Sequence, residues 1–358
     1  MIKLSSPNIK RAERKAVDKV LRSGNLAQGK EVANFELEFS KFLGNRDCIA
    51  VNSGTSGLHI SLLAAGIGKG DEVIVPSFSF AATANSVALT GATPVFVDID
   101  LETYNIDVKA IEAAISSKTR AIQPVHLYGL PSNMEKILEI ARKHDLFVFE
   151  DAAQAHLAKI NGKTVGQFGN FATFSFYPTK NMTSGEGGMI VSADSEHSRK
   201  CRLIRNQGME KKYENEVVGL NNRMTDIHAA IGRVQLKKLE GFTSKRQANA
   251  AFYNSNLAGV ITPYVPEGFE HVYHQYTIRI EGMDRDRFSQ ELHQRGVETG
   301  VYYPIPIHKL PSFKVNCELK NTSKACNEVL SLPIHPNLKL KELEKVVKEI
   351  NSIAKAGA

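Results

Sequence analysis

The stretch that decides the fold is "EVIVPSFSFAATANSVALTGATPVFVD", residues 72–98. It opens on one apolar run, EVIVP (72–76), and closes on another, PVFVD (94–98), with a segment of helical character and length between them. Strands made of continuous apolar residues are typical of parallel sheets that helices cover on both faces. The stretch therefore predicts a strand–helix–strand unit of a doubly wound α/β fold.

The same alternation extends to both sides of this stretch. Further strand candidates are CIAV (48–51), AIQPVHL (121–127), LFVFED (146–151), FATFSF (171–176) and GMIVS (188–192). Together they predict one large α/β lobe with a mostly parallel sheet of seven strands. Ser6 and Pro7 predict the start of an amphipathic helix before this lobe.

The pattern changes after about residue 240. One strand candidate, YHQYTIRI (273–280), is followed by a helical segment, RDRFSQELHQRG (285–296), and by a final amphipathic helix. A chain of 358 residues is too long for one ordinary core. We therefore predict a large ligand-binding α/β domain over residues 1–240, including an N-terminal helical segment, and a small C-terminal α+β domain over residues 241–358.

Charge and cysteine usage narrow the class of protein. The net charge of +7 would suit an anionic partner, but no basic stripe with interleaved aromatics indicates nucleic-acid binding. None of the four cysteines has zinc-finger or CxxC spacing, so no metal site is expected and a reduced, cytoplasmic protein is the simplest interpretation. Neither a signal-peptide core nor a bilayer-spanning run is present, so no membrane partner is expected.

Open parallel sheets bind ligands at the carboxyl ends of their strands, so the residues after each strand are the candidates for a site. "NSGTSGL" (52–58) follows CIAV and opens a helix whose amides suit a phosphate, although an ordinary helix start capped by Ser53 or Thr55 explains it equally well. Phe78 and Phe80 follow EVIVP, where a ring packs in the core or stacks on a flat ligand.

Two charged residues follow later strands. Asp151 ends a fully apolar strand and needs a partner, either the next turn, which it would cap, or a protonated heterocycle nitrogen. Lys180 stands between two core strands, next to the glycines at 185, 187 and 188, which are predicted to leave room for a ligand. A surface lysine in a turn is the ordinary alternative.

These pieces together fit one ligand, pyridoxal 5'-phosphate. That cofactor requires a lysine for its aldehyde, an acid for its pyridine nitrogen, a stacking ring and a phosphate cup. A lysine in such a pocket loses hydration, so its amine is easier to deprotonate and acts as a nucleophile and proton carrier.

The sequence also resembles the DegT/DnrJ/StrS family of fold-type-I, pyridoxal-phosphate-dependent sugar aminotransferases. Seven segments carry the resemblance in the family's order: LRSGNLAQG (21–29), NSGTSGLH (52–59), PSFSFAAT (76–83), EDAAQAH (150–156), SFYPTKNMTSGEGG (175–188), LNNRMTDIHAA (220–230) and YYPIPIHKLP (302–311). The resemblance implies a homodimer with shared active sites.

The resemblance implies roles for residues around the cofactor ring. Lys180 matches the Schiff-base lysine, and Asp151 matches the acid on the pyridine nitrogen. Gln154 matches the side chain that bonds the 3-hydroxyl, and Phe80 matches the ring that stacks on the pyridine.

The cofactor's phosphate has its own set of matching residues. Thr55 and Ser56 match the phosphate cup, and Gly54 allows the backbone to approach. Ser175 matches a hydroxyl on the same phosphate, and Asn221 matches an asparagine that reaches it from the other subunit.

The last matches concern the substrate, where the chain also departs from the usual pattern. Arg223 matches an arginine that faces the substrate, and His308 matches a histidine at the sugar-nucleotide entrance. Leu157 replaces a common glycine, Asn222 a common aromatic residue and His228 a common glutamine. None of the three departures falls on the matched catalytic residues.

The resemblance implies transfer of an amino group from L-glutamate to a keto-deoxysugar nucleotide, in amino-sugar and polysaccharide biosynthesis. "SGNLAQG" resembles the loop of relatives that aminate C4 rather than C3. Three alternatives stay open at this point: a sugar dehydratase of the same fold, which carries histidine in place of the lysine; an aminotransferase for a cyclitol ketone; and a regulatory protein that only keeps the fold.

Overall fold

The computed structural model describes residues 1–357, which contain twelve α-helices and twelve β-strands. The helices are α1 (Arg11–Ser23), α2 (Lys30–Ser40), α3 (Gly54–Ala64), α4 (Ala82–Ala88), α5 (Val108–Ala113), α6 (Met134–His144), α7 (Ser195–Arg205), α8 (Asp226–Leu236), α9 (Leu239–Asn256), α10 (Arg285–Gln294), α11 (Lys320–Glu328) and α12 (Leu340–Gly357). The strands are β1 (Asp47–Val51), β2 (Glu72–Pro76), β3 (Thr93–Val97), β4 (Thr119–Ile122), β5 (Phe147–Asp151), β6 (Lys159–Ile160), β7 (Lys163–Thr164), β8 (Phe171–Ser175), β9 (Gly188–Ser192), β10 (Phe269–Glu270), β11 (Tyr276–Arg279) and β12 (Val329–Leu332).

A seven-stranded sheet forms the centre of the molecule, in the order β1-β9-β8-β5-β4-β2-β3. The pairs β2–β3, β2–β4, β4–β5 and β5–β8 are parallel, whereas β9 is antiparallel to both of its neighbours. This confirms the predicted α/β fold with a mostly parallel sheet of seven strands.

Helices cover both faces of this sheet. Successive residues of a strand point to opposite faces, so alternate residues of β9 pack against different helices. Met189 and Val191 of β9 belong to the same buried cluster as Phe35 of α2. Ile190, between them, belongs to another cluster with Ile60 of α3. The carboxyl ends of the parallel strands are therefore left as the open edge of the sheet.

The C-terminal elements surround a separate buried cluster. It joins α9, α10 and α12 to the antiparallel pair β11–β12 through residues such as Tyr253, Tyr276, Phe288, Leu330 and Ile350. The predicted domain division at residues 240 and 241 falls within α9 and stays a prediction.

Some predicted boundaries were wrong. The first helix begins at Arg11 rather than at Ser6, with a capping box in which the Lys10 amide donates to Glu13. The strand predicted over residues 121–127 ends at Ile122, because Pro124 cannot donate to a ladder. The sheet β10-β6-β7 was not predicted, since its strands have only two residues each. Across residues 1–357 the helices are too short or too polar for any of them to cross a membrane.

Candidate active site

A cavity of about 680 Å³ lies at the carboxyl ends of β1, β2, β5 and β8. The loops that follow these strands form one wall, and residues of the C-terminal region and of the N-terminal segment form the other. Seven residues predicted from the sequence line it: Gly54, Thr55, Phe80, Asp151, Gln154, Ser175 and Lys180.

Lys180 follows β8 in a turn in which its backbone amide donates to the Tyr177 carbonyl at 2.9 Å. Its half-buried side chain lines the cavity, and its amine has no hydrogen-bond partner among residues 1–357. Burial lowers the pKa of Lys180 to about 8, and the nearby Asp151 carboxylate opposes this shift. A large share of this amine is therefore neutral at mildly alkaline pH, as a nucleophile or proton carrier requires.

Asp151 is the last residue of β5 and is buried. Its Oδ2 accepts a hydrogen bond from Thr83 Oγ1 at 2.9 Å, and its Oδ1 accepts one from the Ala153 amide at 3.2 Å. Burial raises the pKa of Asp151, while these hydrogen bonds and Lys180 lower it. The Thr83 hydroxyl also lies 2.9 Å from Ser79 Oγ, so a chain of hydroxyls fixes the carboxylate.

Gln154 and Phe80 stand on either side of Tyr303, which the sequence analysis had not singled out. Gln154 accepts a hydrogen bond from the Tyr128 amide at 2.8 Å and donates to the Tyr303 hydroxyl at 3.2 Å. The Phe80 ring remains 59% exposed, and its centroid lies 6.0 Å from that of Tyr303. An exposed ring on a cavity wall offers a face on which a flat ligand can stack.

The N-terminus of α3 forms the opposite end of the site. Of the two possible caps, Ser53 caps the helix: its Oγ accepts from the Ser56 amide at 3.1 Å. Gly54 packs so closely on Ser175 that an added Cβ would lie 2.9 Å from the serine Cβ. First-turn amides lack partners within a helix, so Gly54, Thr55 and Ser175 together form an end of the cavity that could hold an anion.

Four predicted residues do not line the cavity of this chain. Ser56 is engaged with Ser53, since their hydroxyls are 2.9 Å apart. His308 is fully buried, with its Nδ1 2.6 Å from Ser77 Oγ, so it does not lie at an entrance here. Asn221 and Arg223 lie beyond the β1 edge of the sheet.

The segment that holds these last two residues runs along β1. Arg223 forms a bridge with Val51, and the Asn222 carbonyl accepts from the Asn52 amide at 2.9 Å. Arg223 also donates to Asn206 at 2.8 Å, and Asn221 is exposed. Neither side chain is in a position to contact a ligand in its own cavity.

The glycine cluster makes room for the protein itself rather than for a ligand. A Cβ at Gly188 would lie 2.5 Å from the Ser53 carbonyl oxygen, and one at Gly187 would lie 2.5 Å from Met224 Cε. Gly185 faces His228. Gly188 lets the start of β9 approach the turn before α3, and the other two glycines pack against side chains of the protein, which corrects the sequence-based interpretation.

Several cavity residues escaped the sequence analysis. Arg246, His274, Glu186 and Tyr177 all line the cavity, and so does Ser5 of the N-terminal segment. Arg246 lies in a helix of mixed polarity with no motif around it, so no sequence signal identified it. His274 stands at the edge of a strand candidate, where a role in packing is the more common one.

The residues present fit pyridoxal phosphate. A single cavity combines an amine without a hydrogen-bond partner, a buried carboxylate, an exposed ring and a helix N-terminus packed so closely on Ser175 that a side chain at residue 54 would not fit. Within residues 1–357, no group of three or more His, Cys, Asp or Glu side chains could hold a metal ion.

Comparison with known proteins points the same way. Residues 7–351 match the model of the DegT/DnrJ/EryC1/StrS aminotransferase family. The "Pleiotropic regulatory protein" of Geobacillus stearothermophilus is 44% identical over 346 residues, which cover 94% of this chain and 92% of that protein. A UDP-N-acetyl-3-dehydro-alpha-D-glucosamine 3-aminotransferase of Acidithiobacillus ferrooxidans is 40% identical, with 92% of this chain and 90% of that protein covered.

A similar solved structure is that of DesV from S. venezuelae, determined in complex with a ketimine intermediate. It superposes with a TM-score of 0.93 at 38% identity, and the match covers 96% of this chain and 94% of DesV.

Proposed function

The chain belongs to the DegT/DnrJ/EryC1/StrS aminotransferase family and is a pyridoxal-phosphate-dependent aminotransferase, and from this premise we propose that it moves the amino group of L-glutamate to a keto-sugar carried on a nucleotide. The observation that supports the proposal most strongly is the presence of Lys180 and Asp151 in one cavity. No part of it depends on a metal ion.

When bound, pyridoxal phosphate would supply an aldehyde that carries the amino group and a ring that accepts electrons from the reacting carbon. Lys180 would hold the aldehyde. It would afterwards carry a proton between the reacting carbon of the substrate and the aldehyde carbon of the cofactor, because its lowered pKa leaves much of the amine neutral. Asp151 would keep the ring nitrogen protonated by its charge, and Thr83 would hold that carboxylate in place.

The remaining residues of the cavity would orient the cofactor. Phe80 would cover one face of the ring, and the Gln154 amide would bond the 3-hydroxyl. Thr55 and Ser175 would bind the phosphate at the N-terminus of α3, where Gly54 leaves the backbone accessible. Ser56 would contribute only if its hydroxyl turned away from Ser53.

Asn221 and Arg223 enter the proposal as residues lent by a second subunit. Their segment lies outside the cavity of its own chain, so they serve a site only if they reach the site of a partner. We therefore include a homodimer in which Asn221 contacts the partner's cofactor phosphate and Arg223 faces the substrate. His308, which is buried behind Ser77, would act on the substrate entrance through its neighbours.

The sugar and the carbon that receives the amine are narrower parts of the proposal. The relative from A. ferrooxidans is named for a UDP-linked 3-dehydro sugar, and a sugar nucleotide is the substrate class that we carry over. The loop over residues 23–29 favours amination at C4, whereas the name of that relative states amination at C3. Because residues 23–29 do not line the cavity of their own chain, the preference for C4 depends on the resemblance alone.

The alternative functions have less support. A dehydratase of this fold would carry histidine at position 180, where this chain has lysine. A cyclitol ketone would use the same catalytic residues and differs only in the substrate. One relative is named a regulatory protein, but that name states no reaction, and a purely regulatory role needs no amine with a lowered pKa in a cavity.

Borohydride reduction followed by peptide mapping tests the catalytic assignment. We expect purified protein to carry reduced cofactor on the peptide that contains Lys180. Lys180→Ala should abolish transamination and leave the fold intact, and Asp151→Asn should retain some cofactor but lose most activity. A label on another peptide, or no label, would contradict the assignment.

A panel of keto-sugar nucleotides with L-glutamate tests the substrate assignment. We expect an increase in mass that corresponds to replacement of a keto oxygen by an amine, with fragmentation that identifies the carbon. Conversion of cyclitol ketones alone would instead favour the cyclitol alternative.

A further inference from the structure

One buried arginine has no acidic partner. Arg205, Arg246 and Arg285 are the arginines buried within residues 1–357. Arg205 pairs with Glu36 at 2.6 Å, and Arg285 pairs with Asp286 at 2.6 Å. Arg246, which is 5% exposed, has no carboxylate within 4.0 Å in the described part of the chain. A buried charge without a partner is costly, so this guanidinium indicates an anion from outside the chain.

Backbone contacts hold this guanidinium at the cavity wall. Arg246 lies in α9 and lines the cavity. Its Nη1 donates to the carbonyl oxygens of Tyr273 at 3.1 Å and His274 at 3.2 Å. Its Nε is buried without a partner, which leaves Nη2 as the nitrogen available to a ligand. The side chain is therefore fixed in place through Nη1, while the donors on Nε and Nη2 are unused.

Apart from Lys180, which the proposed function assigns to the cofactor aldehyde, Arg246 is the source of positive charge at this part of the wall. Burial lowers the pKa of Arg246 to about 10, so it stays protonated at neutral pH. Burial lowers the pKa of His274 well below its usual value, so its ring is neutral and serves as a hydrogen-bonding group. Of the two carboxylates on the wall, Asp151 is held by Thr83, and Glu186 is exposed and forms no ion pair with Arg246.

We propose that Arg246, with His274 beside it, binds a carboxylate of the amino donor. The inference rests on the proposed function and adds the place where the dicarboxylate amino acid is recognised. A carboxylate is a terminal group, so it can contact a buried donor on the cavity wall without the rest of the ligand passing that donor. The diphosphate of a sugar nucleotide lies in the middle of its molecule, with a nucleoside on its far side, whereas Arg246 is 5% exposed and presents little surface to a ligand.

Calorimetry with glutarate, a dicarboxylate that cannot react, tests this site on the cofactor-loaded protein. We expect Arg246→Met to weaken glutarate binding roughly tenfold to a hundredfold, as expected for loss of a hydrogen bond to a charged group. Arg285→Met is the matched control, because Arg285 Nη1 also donates to two carbonyls, those of Cys326 and Val329, away from the cavity. This control should bind glutarate as the wild type does.

UDP is the second probe and separates the two possible anions. We expect Arg246→Met to bind UDP like the wild type. Loss of UDP binding with unchanged glutarate binding would assign Arg246 to the diphosphate and overturn the proposal, and unchanged binding of both probes would also overturn it.

Two further measurements test the site without relying on Arg246→Met, in case this variant folds poorly. In crystals of the loaded wild-type protein soaked with glutarate, a carboxylate should lie about 3 Å from Arg246 Nη2, and a carboxylate bound elsewhere in the cavity refutes the site. Borohydride labelling of Lys180 separates this outcome from failure of the proposed function. A labelled Lys180 together with glutarate binding that does not involve Arg246 refutes this inference alone.

Discussion

Lys180 and Asp151 each favour the charged form of the other. Burial lowers the pKa of the amine and raises that of the carboxyl, and the attraction between the two groups opposes both shifts. The amine therefore has a lowered pKa of about 8, and the attraction between the two groups limits the shift on each of them. The sequence predicted the easier deprotonation of Lys180, but the opposing attraction between the two groups follows only from the structure.

This coupling predicts the pH dependence of Lys180. In the apoprotein, acetylation of Lys180 should rise with pH around a midpoint near 8. Asp151→Asn removes the charge that raises the pKa of the amine, so the midpoint should move to lower pH. Competitive acetylation read by peptide mass, with an exposed lysine of the same digest as reference, measures both midpoints. A midpoint that rises or stays unchanged in Asp151→Asn would refute the coupling.

Thr83 predicts a positioning effect on the same carboxylate. In the wild type, the hydrogen bond from Thr83 lowers the pKa of Asp151. Thr83→Val removes this bond, so the pKa of Asp151 should rise further. We expect cofactor affinity to fall by up to about tenfold, because a carboxyl with a higher pKa is ionised less often beside the cofactor's ring nitrogen. Carbon-13 chemical shifts of Asp151 and a cofactor titration measure the two effects. Thr90→Val removes a hydroxyl that bonds the Val87 carbonyl and the Ala92 amide away from the cavity, so it should change neither.

At the scale of elements, the start of β9 predicts a steric effect on stability. A Cβ at Gly188 would meet the Ser53 oxygen at 2.5 Å and the Gly54 nitrogen at 2.8 Å, both backbone atoms. We expect Gly188→Ala to lower the free energy of unfolding by about 1–3 kcal/mol and to weaken cofactor binding. Gly241→Ala, in α9 with no atom within 4 Å of its Cβ, should instead stabilise by about 0.5–1 kcal/mol. Urea denaturation compares the two, and equal effects would contradict the steric argument.

The elements also show which parts of the fold local sequence can predict. The strands β2, β5 and β9 were found because a buried apolar run is a local signal. The order that places β1 beside β9, and the antiparallel direction of β9, depend on contacts between distant residues. The role of Arg246 was missed for the same reason, because burial without an acidic partner is a property of the packed molecule.

At the scale of the whole molecule, the proposed shared-site dimer predicts complementation between two inactive chains. In a hybrid of Lys180→Ala with the double variant Asn221→Ala, Arg223→Ala, a loop lent across the interface gives one site both defects and leaves the other site wild type. Mixing should then restore activity, to roughly a quarter of the wild-type value for random pairing in two-fold dimers. If the loop serves its own chain, every site keeps one defect and activity does not return.

The pairing of β1 with β9 also has a consequence for biosynthesis. Residues 47–51 leave the ribosome long before residues 188–192, yet the two segments form one ladder. Until Gly188 is synthesised, the turn at Ser53 and Gly54 lacks the strand that packs against it. Contacts between such distant residues form slowly, because a long loop must close first. The turn proposed to bind the phosphate is thus translated early and completed late, and we expect a nascent chain to bind the cofactor only after β9 has been made.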